Sequence, residues 1–260
     1  MIEKKLRDYY KRYYKDRLGL RDWQARIENR LDEENYFALP MIRRIEEWFG
    51  YNFSGKRVLV VGAGTGAETI ALKQKGADVF SVEPDSEAYE ILLIKAGMYG
   101  IAESNILSAK AESLPFQDTY FDFVYCYTVL EHVQDVKKSI SEMIRVCKPG
   151  GFIFIETPNY RMCYEPHYKI FMPTFLPKVL LKFYLLLLGR PICFLDTLNF
   201  NSLRKILVYI RHKPVVVLQA LHDFPIGFAR FSNPHYLMSR YLGVERDAFF
   251  MLYKLKERRK

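Results

Sequence analysis

The sequence predicts an α/β protein with a doubly wound, mostly parallel sheet, and three observations support this fold class. From Lys56 onward, short apolar runs bounded by turn residues alternate with helical patterns, which is typical of a parallel sheet covered on both faces. The first apolar run leads directly into a glycine-rich turn. With 260 residues and 50% hydrophobic content, the chain can bury one substantial core.

The first element, residues 1–50, is predicted to be a helical N-terminal cap. Apolar and aromatic residues recur there at spacings of three to five among Lys, Arg and Asp, as in amphipathic helices. They are Leu6, Tyr9, Tyr10, Tyr13, Tyr14, Leu18 and Trp23.

Residues 51–159 are predicted to be the sheet core, with strands at 57–61, 78–82, 121–127 and 151–156. Residues 160–200 are rich in aromatics, Pro and Leu and show no strand-like alternation. We interpret them as an inserted lid over the carboxyl edge of the sheet. Residues 201–260 return to the same sheet domain, with a helix at 201–211 and strands at 214–221 and 247–255.

Composition narrows the functional classes. The four cysteines (Cys126, Cys147, Cys163 and Cys193) form no CxxC pair and no regular spacing with histidine, so neither a metal site nor a disulfide framework is predicted. The net charge of +9 permits an anionic partner, but no nucleic-acid-binding motif accompanies it, and nucleic acid is a disfavoured partner.

No transmembrane helix is predicted, because the most apolar stretch, residues 179–189, is too short and contains Lys182. The charged N-terminus is not followed by an apolar stretch, so it does not resemble a secretory signal. These two features predict a cytoplasmic protein.

The glycine-rich turn Gly62-Ala63-Gly64-Thr65-Gly66 follows the first strand, and a helical pattern begins at about Ala67. Glycines allow a tight turn and close approach of a ligand to the backbone amides at a helix start. Glu83 ends the second strand, where an acid can accept both hydroxyl protons of a ribose. Together, the glycine turn and Glu83 indicate an adenosine-containing ligand. They also satisfy the dinucleotide-binding pattern, so the identity of the ligand stays open at this point.

Four later motifs occur in a fixed order behind this turn: residues 111–116 (AESLPF), 121–127 (FDFVYCY), 130–133 (LEHV) and 147–151 (CKPGG). The series resembles the class I S-adenosylmethionine-dependent methyltransferases, particularly the group that includes ubiquinone-biosynthesis and other small-molecule methyltransferases. The resemblance covers about residues 56–159. It implies a Rossmann-like, mostly parallel seven-stranded sheet with an antiparallel last strand, and S-adenosylmethionine as methyl donor.

The resemblance also implies roles for individual residues. The glycine turn would lie beneath the methionine portion of the donor, Glu83 would bind the ribose hydroxyls, and Pro84 would lie against the adenine. Ala111 and Glu112 would recognise the adenine edge. Cys126 and Tyr127, placed just beyond the fourth strand, would face the methionine amino group and the transferring methyl.

One departure concerns the residue two positions before the first glycine. Many relatives carry an acid there, and this chain has Val60. Another group, for example Glu68, must then supply the hydrogen bonds of that acid.

A hydroxyl acceptor would benefit from a general base, and histidine takes a proton near neutral pH. His132 is placed at the start of the helix after the fourth strand, and His167 lies in the lid with Glu165 as an orienting carboxylate. Both are candidate catalytic residues, and a purely structural role stays open for each. His212, His222 and His235 are expected to be structural.

The lid is the expected determinant of the acceptor. Its apolar 171–185 region suits a hydrophobic or lipid-linked acceptor, and basic flanks suggest peripheral membrane contact through residues 175–190. Packing as core or at a homodimer interface is the alternative. The favoured function is O-methylation of a small-molecule, glycan or lipid-linked acceptor. A non-catalytic scaffold of the same fold and a nicotinamide-dependent oxidoreductase are the two rival functions.

Overall fold

The computed structural model describes residues 2–221 and 247–256. Its helices are α1 Ile2–Lys11, α2 Trp23–Leu31, α3 Leu39–Phe49, α4 Ala67–Gln74, α5 Ser86–Met98, α6 Val136–Val146, α7 Lys178–Leu187 and α8 Leu203–Ile210. Its strands are β1 Arg57–Val61, β2 Asp78–Val82, β3 Ile106–Leu107, β4 Phe121–Tyr127, β5 Cys147–Pro158, β6 Tyr164–Glu165, β7 Ile170–Phe171, β8 Val215–Leu221 and β9 Asp247–Lys254.

Seven of these strands form one sheet, in the order β3-β2-β1-β4-β5-β9-β8. The strands from β3 to β5 pair in parallel, whereas β9 runs antiparallel to both β5 and β8. The order reverses at β1, so the carboxyl ends of β1 and β4 flank the crevice where such sheets bind ligands. Over the described part of the chain, the structure confirms the predicted Rossmann-like fold with its antiparallel last strand.

Alternate residues of the central strands face two different core clusters. In β1, Leu59 and Val61 pack on the side of α6 and α8, whereas Val58 and Val60 pack on the side of α3, α4 and α5. All four side chains are essentially inaccessible to solvent. Burial on both faces explains why β1 is a continuous apolar run rather than an alternating one.

Three local expectations from the sequence were wrong or incomplete. The short strand β3 was not predicted, because two residues give no periodic signal. The lid was expected to contain no strand, but β6 and β7 form a small antiparallel hairpin. His132 does not start a helix: α6 begins at Val136, where the Asp135 side chain accepts the Lys138 amide proton at 2.9 Å.

The N-terminal helices and residues 160–200 share a third core cluster. Leu6 and Tyr14 from the first segment pack in it with Tyr168, Leu181 and Phe194 from the second. The cap and the lid, terms used here for residues 2–50 and 160–200, therefore pack against each other. Within 2–221 and 247–256, every helix is too short or too polar to span a membrane.

Candidate active site

The glycine turn between β1 and α4 has backbone geometry that only glycine adopts readily. Gly62, Gly64 and Gly66 have φ values of +67°, +53° and +99°. A Cβ built on Gly62 would lie 2.5 Å from Val129 Cγ2, and one on Gly66 would lie 2.7 Å from Leu92 Cδ1. The turn therefore packs its backbone against Val129 of the loop after β4 and Leu92 of α5, and both positions require glycine.

Glu83 links the end of β2 to the glycine turn. One carboxylate oxygen accepts the Gly64 amide proton at 2.7 Å, and the other accepts the Asp85 amide proton at 2.9 Å. The side chain is largely buried, and burial raises the pKa of Glu83, an effect that the two amides only partly offset. The carboxylate is held in place at the sheet edge, with lone pairs left to accept further protons.

A cleft of about 260 Å³ opens at this edge. Six of the predicted site residues line it: Gly62, Glu83, Pro84, Ala111, Glu112 and His132. The remaining lining residues are Lys110, Thr128, Val129, Val133 and Gln134, which the sequence reasoning did not single out. The cleft thus runs from Glu83, the predicted ribose-binding acid, to His132, the first candidate base.

Glu112 is fixed across this cleft rather than pointing freely into it. Its Oε1 atom accepts the amide protons of Gln134 at 2.6 Å and Asp135 at 3.2 Å. The loop after β4 is thereby tied to the 111–116 segment. If Glu112 also binds the adenine edge, its carboxylate must accept hydrogen bonds from the ligand as well as from these two amides.

The other predicted donor residues do not line the cleft. Ala63 and Thr65 are buried, and the Cys126 side chain lies in the apolar core, where burial raises the pKa of its thiol. Cys126 and Tyr127 are the last two residues of β4, not residues beyond it. The implied contact of Cys126 with the donor therefore cannot come from its side chain. Tyr127 stacks on Tyr125 with ring centroids 6.2 Å apart.

The two candidate bases lie side by side although 35 positions separate them in the sequence. The His132 and His167 ring centroids are 5.0 Å apart, and Phe194 packs against both rings. His167 Nδ1 lies 2.6 Å from a Glu165 carboxylate oxygen, so the predicted orienting contact is present. The lid therefore brings a second imidazole into contact with His132, which lines the cleft.

The two histidines differ electrostatically. Burial, together with His167 and Arg17, lowers the pKa of His132 to about 3, so its ring is neutral. Burial also lowers the pKa of His167, but the hydrogen bond and charge of Glu165 outweigh it and hold the pKa above its usual value. Of the two rings, His167 is the better proton acceptor.

Glu131 is a buried acid beside these rings that the sequence reasoning did not assign a role. Its Oε2 atom accepts the Thr157 hydroxyl proton at 3.1 Å, and burial raises the pKa of the carboxyl group to about 7. One ligand atom each from Glu131, His132 and His167 lie within 4.8 Å of one another, a set that also suits a divalent cation. The expectation from the sequence, that the chain holds no metal, stays a prediction.

The other histidines contribute nothing to this site within the described residues. His212 is exposed in the turn after α8. His222 and His235 lie outside the described residues.

A glycine turn, an acid directly after β2 and a cleft at the carboxyl edge of the sheet are typical of a nucleotide-binding domain of the Rossmann-like type. Comparison with known proteins narrows the class, since residues 59–155 match the family described as "Methyltransferase domain". The chain carries a methyltransferase domain of the class I, S-adenosylmethionine-dependent type.

Two curated relatives share this region. The ubiquinone biosynthesis O-methyltransferase of Pseudomonas fluorescens is 35% identical over 111 residues, covering 42% of this chain and 47% of that protein. The demethylmenaquinone methyltransferase of Renibacterium salmoninarum is 34% identical over 101 residues, covering 39% and 40%. The chain thus spans less than half the length of these relatives.

The fold extends further than the sequence similarity. An S-adenosylmethionine-dependent methyltransferase structure from Mesorhizobium loti superposes with a TM-score of 0.57 at 14% identity, covering 84% of this chain and 97% of that one. At this identity the likeness concerns the fold alone.

Proposed function

We propose that this chain transfers a methyl group from S-adenosylmethionine to a hydroxyl group of a small-molecule, glycan or lipid-linked acceptor. The observation that carries the proposal is the continuity of one cleft from Glu83, where a ribose would bind, to His132 and the neighbouring His167. In this proposal the donor and the base would lie on either side of the acceptor oxygen.

The donor half needs binding and alignment rather than a protein nucleophile. A sulfonium methyl is already electrophilic, and alignment of the reacting atoms can lower a barrier by about 7 to 11 kcal/mol. Glu83 would accept the ribose hydroxyl protons, and Pro84, Ala111 and Glu112 would enclose the adenine. The glycine turn would leave room for the methionine portion.

The acceptor half needs a group that removes the hydroxyl proton. In the neutral form of His167, which prevails above its raised pKa, Glu165 accepts the Nδ1 proton and the Nε2 lone pair is free to take a proton. The acceptor proton would pass to Nε2 as the oxygen–methyl bond forms and the sulfur–methyl bond breaks, releasing S-adenosylhomocysteine. General-base assistance of this kind is typically worth about 10² to 10⁴-fold in rate.

Transfer of a labelled methyl group from S-adenosylmethionine to fractionated cell extract tests the proposal. We expect label in a small-molecule or organic-phase product. Label confined to RNA or protein would overturn the acceptor class, and no label in any fraction despite donor binding would support the scaffold alternative. A thermal shift with S-adenosylhomocysteine and none with NADH would exclude the oxidoreductase alternative, because a ligand stabilises only a state that binds it.

The lid carries an exposed apolar surface that favours a lipid-linked acceptor. On and beside α7, Phe175, Val179, Phe183 and Leu187 are 78%, 76%, 62% and 71% exposed. Residues 175–190 contain three basic residues and no acidic one. Apolar side chains with basic flanks suit the surface of an anionic membrane.

The buried side of α7 packs in the same core cluster as the residue that follows His167 in the lid. Leu181 and Leu185, on the buried side of α7, pack in one cluster with Tyr168, which directly follows His167. A membrane bound to the outer face of α7 would therefore lie next to the acceptor side of the cleft.

Sedimentation with vesicles tests this contact. We expect binding to phosphatidylglycerol vesicles and a loss of at least about 10-fold in the Phe183→Asp, Leu187→Asp double variant. Val208→Asp, at a 60% exposed position of α8, is the matched control and should bind normally. Equal binding by all three proteins, or loss of a homodimer instead of vesicle binding, would contradict membrane contact.

A further inference from the structure

We propose that Glu33, from the N-terminal cap, is a positioning residue for the methyl donor: it holds the glycine turn through Thr65. This inference rests on the proposed function and assigns to the cap the role of the acid that Val60 does not supply. The residues that carry it are Tyr10, Glu33, Thr65 and Lys95.

Glu33 reaches the glycine turn directly. The Thr65 hydroxyl donates to Glu33 Oε1 at 2.5 Å, and the Tyr10 hydroxyl donates to Glu33 Oε2 at 2.6 Å. The Tyr10 and Thr65 hydroxyl oxygens are 2.7 Å apart. All three side chains are buried, with Glu33 only 1% exposed. A buried carboxylate with directed hydrogen bonds fixes its partners more strongly than an exposed one.

Two neighbouring cations, the buried Lys95 and the half-buried Arg30, keep Glu33 ionised. Lys95 Nζ, from α5, lies 3.0 Å from Glu33 Oε1 and also pairs with Glu34, while Arg30 lies 3.7 Å from Glu33 Oε2. Burial raises the pKa of Glu33, but the charges of Lys95 and Arg30, with the hydrogen bonds from Thr65 and Tyr10, hold it below the usual value. The carboxylate is therefore a charged acceptor for the Thr65 hydroxyl, which strengthens that bond.

Two carboxylates from different parts of the chain hold neighbouring residues of one turn. Glu83, from the sheet, accepts the Gly64 amide proton at 2.7 Å, and Glu33, from the cap, accepts the Thr65 hydroxyl proton. The usual acid position is closed to this role, because Val60 is packed in the core on the side of α3 and α4. The shape of the turn, and with it donor affinity, therefore depends on the cap.

The test compares S-adenosylhomocysteine binding by calorimetry in four single variants and in the Glu33→Gln, Thr65→Val double variant. Glu33→Gln and Thr65→Val should each weaken binding about 10-fold, the effect of losing one hydrogen bond to a charged group. Thr65→Ser keeps the hydroxyl and should bind like wild type. Glu28→Gln changes an exposed acid of the same cap, 61% accessible and paired with Arg7, and should also leave binding unchanged.

A positioning role and a merely structural one give different results. If Glu33 positions the turn, the KM for the donor rises in Glu33→Gln and Thr65→Val while the KM for the acceptor stays constant, and the double variant loses no more than either single variant. If both variants unfold at lower temperature but bind donor like wild type, the inference is wrong. If wild type itself fails to bind S-adenosylhomocysteine, the proposed function fails instead.

Discussion

The donor side and the acceptor side of the cleft are built differently. The proposed donor side consists of the glycine turn and Glu83, which directly follow strands of one sheet and are joined through the Gly64 amide, together with Ala111 from the segment after β3. The acceptor side joins His132 to His167 and Phe194, which come from the loop after β4 and from the lid. The proposed donor side therefore takes its geometry from the sheet and from one cap residue, Glu33, which holds Thr65. The proposed acceptor side depends on how the lid packs.

This difference has a chemical counterpart. Glu83 lies in backbone contacts that fix its position before any ligand arrives, as expected of a group that binds one invariant cofactor. The acceptor side is made of side chains that another lid sequence would replace entirely. A domain of this kind can keep its donor and change its substrate through the lid alone.

The largest effect should follow from a change on the acceptor side. His167→Gln removes the proton acceptor while leaving the donor cleft intact, so we expect kcat to fall by about 10² to 10⁴-fold. The dissociation constant for S-adenosylhomocysteine should stay within about 2-fold of wild type, since the residue does not line the donor cleft. Steady-state kinetics and calorimetry measure the two quantities.

His212→Gln, at an exposed position, is the control for this variant. Unchanged kcat in His167→Gln would remove the base from the mechanism. A parallel loss of donor binding would show that the two sides of the cleft are not separable.

A smaller effect should follow from a change on the donor side. Glu83→Gln weakens both the ribose contact and the hold on Gly64, so we expect S-adenosylhomocysteine to bind about 10- to 100-fold more weakly, the range for hydrogen bonds to a charged group. Glu90→Gln replaces an exposed acid of α5 and should bind normally. Normal binding by Glu83→Gln would mean that the adenosine lies elsewhere.

The smallest effect concerns stability and pH. Burial, with the nearby charge of Glu33, raises the pKa of Glu68 to about 7 in the folded protein. Ionising Glu68 then costs the folded state free energy that the unfolded chain does not lose, a penalty absent below about pH 4.5 and complete above about pH 7. Glu68→Gln should therefore be more stable than wild type by up to about 3 kcal/mol at pH 8.

Measuring the free energy of unfolding at several pH values tests this prediction. The free energies of unfolding of Glu68→Gln and wild type should converge as the pH falls from 7 to 4.5. A difference that stays constant from pH 4.5 to pH 8 would show that Glu68 does not titrate in this range.

The parts that the sequence predicted are those with strong local signals. The short, mostly apolar runs of β1, β2 and β4 gave their bounds, because the interior positions of these strands are buried on both faces of the sheet. The glycine turn was predictable because positive φ values demand glycine.

The parts that the sequence did not predict depend on tertiary contacts. Nothing local to Glu33 indicates that it reaches Thr65, 32 positions away, and nothing local to Glu131 indicates burial beside His167. The burial of the Cys126 side chain in the core was not predicted, because β4 alternates between two buried faces. Such contacts are set by how cap, lid and sheet pack.

A crystal structure of the chain with S-adenosylhomocysteine tests the donor site most directly. The account predicts adenosine in the 260 Å³ cleft, with both ribose hydroxyls on Glu83 and the sulfur directed toward His132. Density for the ligand at any other surface, or a cleft that stays closed to it at saturating concentration, would contradict the account.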